Sequence, residues 1–343
     1  MSSQQKTETN KPETVLDVRD LQTHFFTPAG TIKSVDGVSL TVKRGEILGL
    51  VGESGSGKSI TGFSIIGLVD KPGRNVGGSI TFKGEELLNA SEKRLRSLRG
   101  NRIAMIFQDP MMTLNPVLSV KTHMVETVRA HENVSEAEAL RRSIEALSMV
   151  GISQPELRIQ SYPHEFSGGM RQRVAIAIAL LHKPDLIIAD EPTTALDVTI
   201  QSQILAEVQT LCRELGMGLI WISHDLGVVA GLADNVAVMY AGRIVEQGKV
   251  DDVLDRPQHP YTAGLIGSAP AANARGARLT QIRGAAPHPL KRPEGCAFRT
   301  RCDFATDRCL EEPAETFGTA GHRWRCFNPL AGAAASAISV EGH

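Results

Sequence analysis

One stretch, Gly52-Glu53-Ser54-Gly55-Ser56-Gly57-Lys58-Ser59, decides how the fold of this 343-residue chain is interpreted. It follows an apolar run that ends at Val51 and precedes residues that suit a helix, which is the context of a Walker A phosphate-binding loop. Its glycines let successive backbone N–H groups turn inward around phosphates, and the start of the helix adds a favourable dipole. An ordinary glycine-rich turn is the simpler alternative, but the complete pattern in this context predicts an ATP site.

The last residues of the loop have separate predicted roles. We expect Lys58 to lie against the β- and γ-phosphates and the hydroxyl of Ser59 to bind Mg²⁺. The other residues of this segment that are predicted to bind the nucleotide are Gly52, Ser54, Gly55, Ser56, Gly57 and Ile60.

An acidic pair supplies the second half of such a site. Asp190 and Glu191 directly follow the apolar run 186–189. Asp190 is predicted to hold Mg²⁺, directly or through water, and Glu191 to orient and deprotonate the attacking water. Two acids after a strand often mark only a solvated turn or a helix N-cap. The phosphate-binding loop upstream makes the catalytic interpretation the better one.

Apolar runs predict the fold class. Residues 47–51, 186–189 and 219–222 are apolar without alternation, as strands covered on both faces of an α/β sheet are. Between residues 86 and 165 the sequence favours helices, and Ser135-Glu136-Ala137-Glu138 fits a capping box before one of them. We therefore expect a disordered segment over 1–13, a nucleotide-binding domain over 14–250 with a helical insertion over 86–165, and a loop-rich extension over 251–343.

Composition disfavours some partners. The 37 Lys and Arg side chains balance 38 Asp and Glu side chains, so no global charge attracts nucleic acid. The longest apolar run, 174–181, is too short to span a membrane, and the N-terminus lacks a signal-peptide pattern. We expect a cytoplasmic chain, unless a membrane protein holds it.

A third motif indicates a family. The segment Phe166-Ser167-Gly168-Gly169-Met170-Arg171-Gln172-Arg173 resembles the signature of ABC ATPases and precedes the strand that carries the acidic pair. In that family the signature binds the γ-phosphate of the ATP held by the opposite subunit. The resemblance implies this role for Ser167, Gly168 and Gly169, and N–H groups at a helix N-terminus suit an anion.

The remaining motifs of that family occur in order. Gln108 resembles the Q-loop glutamine, Ala195-Leu196-Asp197 the D-loop, and His224 the switch histidine. The resemblance implies that Gln108 binds Mg²⁺ and that Gln108 and His224 take part in catalysis. Phe25 resembles the aromatic residue that stacks on adenine, although Phe26 is adjacent and either ring could instead pack in the core.

The resemblance covers residues 14–250 and implies a P-loop NTPase (RecA-like) core with the ABC β-subdomain. It also implies a dimer in which two ATP molecules are clamped between the Walker motifs of one subunit and the signature of the other. ATP binding then closes the dimer, and hydrolysis opens it.

Two later segments indicate a subfamily. His259-Pro260-Tyr261-Thr262 and the run 292–302 resemble the C-terminal region of dipeptide and oligopeptide importer ATPases. This resemblance implies ATP-driven peptide uptake with a second homologous ATPase subunit, two transmembrane permeases and an extracytoplasmic peptide-binding protein, on the cytoplasmic side of a bacterial inner membrane. Nickel and glutathione importers share much of the pattern and remain alternatives for the cargo. Soluble ABC ATPases that act on ribosomes or DNA are a further class, which the single motif set and the lack of a basic bias disfavour.

Four of the five cysteines, Cys296, Cys302, Cys309 and Cys326, lie in the C-terminal extension. A cytoplasmic setting disfavours disulfides, and the resembling importer ATPases imply a [4Fe–4S] cluster on these four residues. Their spacing lacks a short Cys-x-x-Cys pair, so spacing alone leaves open Zn²⁺, with His322 as a spare ligand, or four reduced thiols. The arginines that are candidates to offset the charge of a cluster are Arg299, Arg301, Arg308, Arg323 and Arg325.

Overall fold

The computed structural model describes residues 13–194, 196–269 and 281–330. The disordered segment predicted at 1–13 lies outside these residues except at Glu13. The carbonyl of Glu13 accepts a hydrogen bond from the Arg44 amide at 2.8 Å, so Glu13 is itself attached to the fold.

Twelve strands and ten α-helices make up the regular structure of the described residues. The strands are β1 (Thr14–Thr27), β2 (Gly30–Lys43), β3 (Ile47–Val51), β4 (Gly73–Phe82), β5 (Glu85–Glu86), β6 (Ile103–Ile106), β7 (Leu186–Asp190), β8 (Gly218–Ser223), β9 (Asn235–Tyr240), β10 (Arg243–Lys249), β11 (Thr316–Phe317) and β12 (Arg323–Trp324). The helices are α1 (Lys58–Ile65), α2 (Glu92–Leu98), α3 (Val120–His131), α4 (Glu136–Met149), α5 (Pro155–Arg158), α6 (Gly168–Leu180), α7 (Val198–Leu215), α8 (Leu226–Leu232), α9 (Val250–Asp255) and α10 (Pro260–Ser268). None of these helices is both long and apolar enough to cross a membrane.

The central sheet has the strand order β11-β12-β10-β9-β3-β8-β7-β6. Strand β3 pairs in parallel with β8 and β9, and β8, β7 and β6 continue the parallel part. Every residue of β3, β7 and β8 is buried, which confirms the strands predicted from the apolar runs. Because parallel strands end at one edge, the loops that follow these three strands meet there.

A second, antiparallel sheet with the order β2-β1-β4-β5 covers one face of the central sheet. Its inward side chains, such as Leu16, Val18 and Leu40, share one apolar cluster with Leu50 and Ile188 of the central sheet. The helices α3, α4 and α6 share another apolar cluster with the central sheet. The expected α/β core with an additional β-subdomain is thus present.

The helical insertion differs in detail from its prediction at 86–165. Strand β6 lies inside that range and pairs in parallel with β7 of the central sheet, so the continuous helical part begins only at α3. A four-residue apolar strand is too short to be separated from helical sequence by periodicity.

The predicted capping box before α4 is half correct. The hydroxyl of Ser135 accepts the backbone N–H of Glu138 at 3.2 Å, as an N-cap does. The carboxylate of Glu138, however, accepts hydrogen bonds from Arg141 at 2.7 and 2.9 Å instead of returning to the cap.

The C-terminal extension is attached to the central sheet. After α10 its described part consists of short 3₁₀ turns and the hairpin β11–β12, in agreement with the loop-rich character expected for it. Strand β12 pairs antiparallel with β10, with Glu246 opposite Trp324 and Gln247 opposite Arg323. The extension therefore adds two short strands to the β10 edge of the central sheet.

Candidate functional site

The loop between β3 and α1 requires glycine at two positions. Gly52 has φ +154° and Gly57 has φ +106°, both outside the range favoured by L-residues. A Cβ atom at Gly52 would lie 2.1 Å from the carbonyl oxygen of Met239, and one at Gly57 would lie 2.1 Å from that of Ser34. The backbone of the loop can pass this close to its neighbours only without side chains.

Lys58 lies beneath the loop with only 4% of its surface exposed. Its Nζ donates to the carbonyl oxygens of Gly52 at 2.8 Å and Glu53 at 3.1 Å, and lies 3.9 Å from Oε1 of Glu191. Burial lowers the pKa of Lys58, and the carboxylates of Glu191 and Asp190 oppose that shift. A bound phosphate would stabilise the charged amine in the same way as these carboxylates.

Ser59 and Asp190 place two oxygen atoms side by side that could both bind a metal ion. The hydroxyl of Ser59 donates to Oδ1 of Asp190 at 2.9 Å. Burial raises the pKa of Asp190, and the negative charge of Glu191 adds to that effect. A buried carboxylate beside a second carboxylate is stabilised by a cation, and hydroxyl and carboxylate oxygens are ligands that Mg²⁺ prefers.

Glu191 is the point where the predicted catalytic side chains meet. Its Oε2 accepts hydrogen bonds from Nε2 of Gln108 at 3.3 Å and Oγ1 of Thr194 at 3.2 Å, and lies 3.1 Å from Nδ1 of His224. Glu191 itself has φ +45°, a conformation that is unfavourable for a non-glycine residue and recurs at functional sites. Two loops that are distant from Glu191 in sequence, those of Gln108 and His224, therefore bring their polar groups to its carboxylate.

A cavity of about 760 Å³ opens over this group. It is lined by Phe25, Thr27, Ile32, Ser34, Ser54, Gly55, Gly57, Lys58, Ser59, Ile60, Pro72, Gln108, Glu191, His224 and Pro289. Gly52, Ser56 and Asp190 are not wall residues: Gly52 and Asp190 bind Lys58 and Ser59 respectively, and Ser56 is buried. The volume is within the range of small-ligand sites.

The lining of the cavity combines the phosphate-binding loop with apolar side chains from other segments. Phe25 is one of these side chains, whereas Phe26 is 41% exposed and its ring lies 4.5 Å from the guanidinium carbon of Arg74. The geometry thus favours Phe25 over its neighbour as the aromatic contact. Pro289, from the C-terminal extension, lines the same cavity, and no motif in the sequence indicated it.

The signature segment lies at a different cavity, of about 510 Å³. Ser167, Gly168 and Gly169 line it together with Leu196 and Asp197, and none of its lining residues belongs to the cavity over Glu191. Ser167 caps α6 by accepting the N–H of Met170 at 3.3 Å. Ala195, the first residue of the predicted D-loop, lies outside the described residues.

The four C-terminal cysteines line one small cavity. Burial raises the pKa of Cys302 to about 11 and that of Cys326 to about 12, and the neighbouring cysteine sulfurs raise both pKa values further. Within 13–194, 196–269 and 281–330, no group of three or more His, Cys, Asp or Glu side chains is arranged so that it could hold a metal ion. The residues converge, but the arrangement is not that of a closed single-ion site.

His322 is not the spare metal ligand that its position in the sequence suggested. Its Nε2 lies 2.8 Å from Oε1 of Glu246, and it is not among the residues that line the cysteine cavity. Of the five nearby arginines, Arg299 lines that cavity. Arg301 instead binds Glu53, and Arg308 lies over the ring of Phe327 at 4.5 Å.

Family models match most of the chain. The one described as "ABC transporter" covers residues 35–194, and the one described as "Oligopeptide/dipeptide transporter, C-terminal region" covers residues 245–309. The first range includes the phosphate-binding loop and the acidic pair, and the second includes three of the four clustered cysteines.

Individual proteins are similar over nearly the whole chain. The oligopeptide transport ATP-binding protein OppD of Salmonella typhimurium is 47% identical over 96% of this chain and 98% of its own length. The oligopeptide transport ATP-binding protein AppD of Bacillus subtilis is 46% identical over 92% of this chain and 96% of its own length. Among solved structures, the dimeric ATP-binding cassette MJ0796 bound to ADP and Pi superposes with a TM-score of 0.62 at 25% identity, over 68% of this chain and 98% of its own. CbiO1 of Clostridium perfringens, part of the transporter complex cbiONQ, gives 0.60 at 31% identity over 70% and 90%.

Proposed function

Because the chain belongs to the ABC transporter family, among its oligopeptide transport ATP-binding proteins, we propose that the cavity over Glu191 is where it binds and hydrolyses ATP to drive peptide uptake. It is the ATP-hydrolysing subunit of a peptide importer. The observation that carries the proposed site is the convergence of Gln108, His224 and Lys58 on the carboxylate of Glu191 beside a glycine-rich loop.

The residues of the cavity have different roles in hydrolysis. Phe25 stacks on the adenine base of ATP, and the loop N–H groups and Lys58 bind the phosphates. Glu191 accepts the proton of the attacking water, while Gln108 and His224 hold the Glu191 carboxylate and the water in place. Ser59, Asp190 and Gln108 would hold Mg²⁺, which would neutralise phosphate charge when bound.

The signature acts on the nucleotide of another subunit. Ser167, Gly168 and Gly169 line a cavity that shares no residue with the one over Glu191, so they need a second subunit to meet a γ-phosphate. The dimeric structure of the similar cassette MJ0796 supports such an arrangement. We propose that the second subunit is a homologous ATPase, which makes the pair a heterodimer.

The subunit acts with transmembrane permease subunits, as ATP-binding proteins of peptide transporters do. We propose two permeases, an extracytoplasmic peptide-binding protein, and a peripheral position on the cytoplasmic side of the inner membrane. Peptide is preferred over nickel or glutathione as cargo because the similar proteins named above are oligopeptide transport proteins.

Fractionation tests this assembly. Co-expressed with its permeases, the chain is expected in the membrane pellet, and without them in the soluble fraction, because only the permeases attach it to the membrane. Sedimentation with ribosomes, irrespective of the permeases, would contradict a transport role.

The cysteine cavity is proposed to hold a [4Fe–4S] cluster on Cys296, Cys302, Cys309 and Cys326. Cys309 is buried and the other three are partly buried, and four neighbouring thiolates would repel one another unless a cationic centre offset their charge. A single Zn²⁺ holds its sulfur ligands about 2.3 Å away, which requires them closer together than a four-iron cluster does. What supports the cluster is the resemblance of the four-cysteine pattern to that of peptide-importer ATPases and the single cavity that the four residues line.

Anaerobic purification with iron, sulfide and zinc analysis decides between the two metals. We expect brown protein with equal iron and sulfide, and loss of the colour in Cys302→Ser. Cys212→Ala is the matched control, since Cys212 is buried in the core as part of α7 and should leave the iron content unchanged. Colourless protein with one zinc per chain would exclude the cluster.

A further inference from the structure

A partly buried ion pair joins the C-terminal extension to the phosphate-binding loop. Nη1 and Nη2 of Arg301 donate to the two carboxylate oxygens of Glu53 at 2.6 and 3.0 Å. The side chain of Arg301 is only 4% exposed, and that of Glu53 is 31% exposed. Bidentate pairs withdrawn from water fix geometry, and removal of one partner leaves an uncompensated charge.

The guanidinium of Arg301 is also held in place by contacts other than its pair with Glu53. Its Nε donates to the carbonyl oxygen of Arg283 at 2.8 Å. Its Cζ lies 5.8 Å from the ring centre of Tyr240 and 5.9 Å from that of Phe298. These contacts fix the position of the Arg301 side chain, which is therefore not a mobile surface side chain.

Each polar group of Glu53 is bonded to a different partner. Its N–H donates to the hydroxyl of Tyr261 at 2.8 Å, and its carbonyl accepts from Nζ of Lys58 at 3.1 Å and from the amide of Ser56 at 3.2 Å. Its carboxylate binds Arg301. The position of Glu53 thereby determines where Lys58 and the loop amides lie.

We propose that Arg301 and Tyr261 are positioning residues for ATP binding. They hold Glu53, and through it Lys58, in the conformation that receives the phosphates. Arg301 also offsets the negative charge of Glu53, which would otherwise repel the phosphates. Because Arg301 directly precedes Cys302, this ion pair connects the four-cysteine region to the nucleotide site. The inference rests on the proposed nucleotide site and adds the extension to it.

Equilibrium binding of ATP to the full-length chain tests this inference. Arg301→Met is expected to weaken ATP binding about tenfold or more, because the loop loses its support and the Glu53 carboxylate its counter-charge. Arg94→Met is the matched control: Arg94 makes a comparable two-bond pair with Glu85, at 2.6 and 2.8 Å, but on the surface, and neither residue lines the cavity over Glu191. Its ATP affinity should equal that of the wild type.

A double-mutant cycle separates positioning from general destabilisation. Glu53→Gln removes the carboxylate, so the loss caused by Arg301→Met should be smaller in the Glu53→Gln background. An equal loss in both backgrounds overturns the inference. If Arg301→Met does not fold, Glu53→Gln alone tests the ion pair, and ATP affinity at the wild-type level in that variant overturns the role of Arg301. Tyr261→Phe removes one hydroxyl, keeps the ring and tests the second contact to Glu53.

Tyr261→Phe should weaken ATP binding several-fold, because the N–H of Glu53 loses its acceptor. ATP affinity at the wild-type level in folded Tyr261→Phe overturns the role of Tyr261, and the same result in folded Arg301→Met overturns that of Arg301. If the wild-type chain binds no ATP, the proposed function itself fails, and the positioning residues fail with it.

Discussion

Glu191→Gln should retain ATP binding and lose turnover by about 10²- to 10⁴-fold in the assembled transporter. The amide cannot accept the proton of the attacking water. It keeps the size of the carboxylate and an oxygen that can accept hydrogen bonds, so Gln108 and Thr194 still have a partner. Lys58 keeps its two bonds to the loop carbonyls, which leaves the phosphate cradle in place.

ATP hydrolysis and equilibrium ATP binding are measured on the same preparation. Glu214→Gln provides the control for the change of charge, since Glu214 is exposed on α7, away from the cavity. Hydrolysis by Glu191→Gln at the wild-type rate would refute the assignment of the catalytic base.

Gly168→Asp should abolish ATP hydrolysis by the complex while this chain still binds its own ATP. A Cβ atom at Gly168 comes no closer than 3.8 Å to Leu196, and a carboxylate at the start of α6 is favourable for the helix. The same carboxylate would face the γ-phosphate of the partner subunit's ATP and repel it, with an expected loss of at least about 10²-fold. Gly169→Asp is less suitable, because its Cβ would lie 2.8 Å from Cγ2 of Ile200.

Gly231→Asp is the matched control for Gly168→Asp. A Cβ atom at Gly231 meets no neighbouring atom within 4 Å, and the residue lies on α8, outside both cavities. Normal hydrolysis by the complex that carries Gly168→Asp would show that the signature does not act on a second subunit.

The sequence predicted those parts of the site that local motifs determine. The loop 52–59 and the pair Asp190 and Glu191 could be placed because each follows a continuous apolar run, and such runs form the parallel strands whose ends meet. Gln108 and His224 needed the family resemblance, because a single polar residue after a strand has no pattern of its own. The structure places both beside Glu191.

Contacts between distant segments could not be predicted. Arg301 binds Glu53 across 248 positions of sequence, and neither residue type nor spacing indicates such a pair. Pro289 lines the cavity over Glu191 and belongs to an irregular segment. Such a segment has no periodic sequence pattern from which its position could be predicted. The short strand β6 could not be recognised within sequence that favours helices, because its four residues suit a strand or a helix equally well.

The central claim is tested most directly by peptide uptake into vesicles that contain the assembled transporter. With ATP inside and binding protein outside, labelled oligopeptide should accumulate with the wild-type chain, and should fail to accumulate with ADP or with Glu191→Gln. Accumulation that is the same with Glu191→Gln as with the wild type would contradict the account.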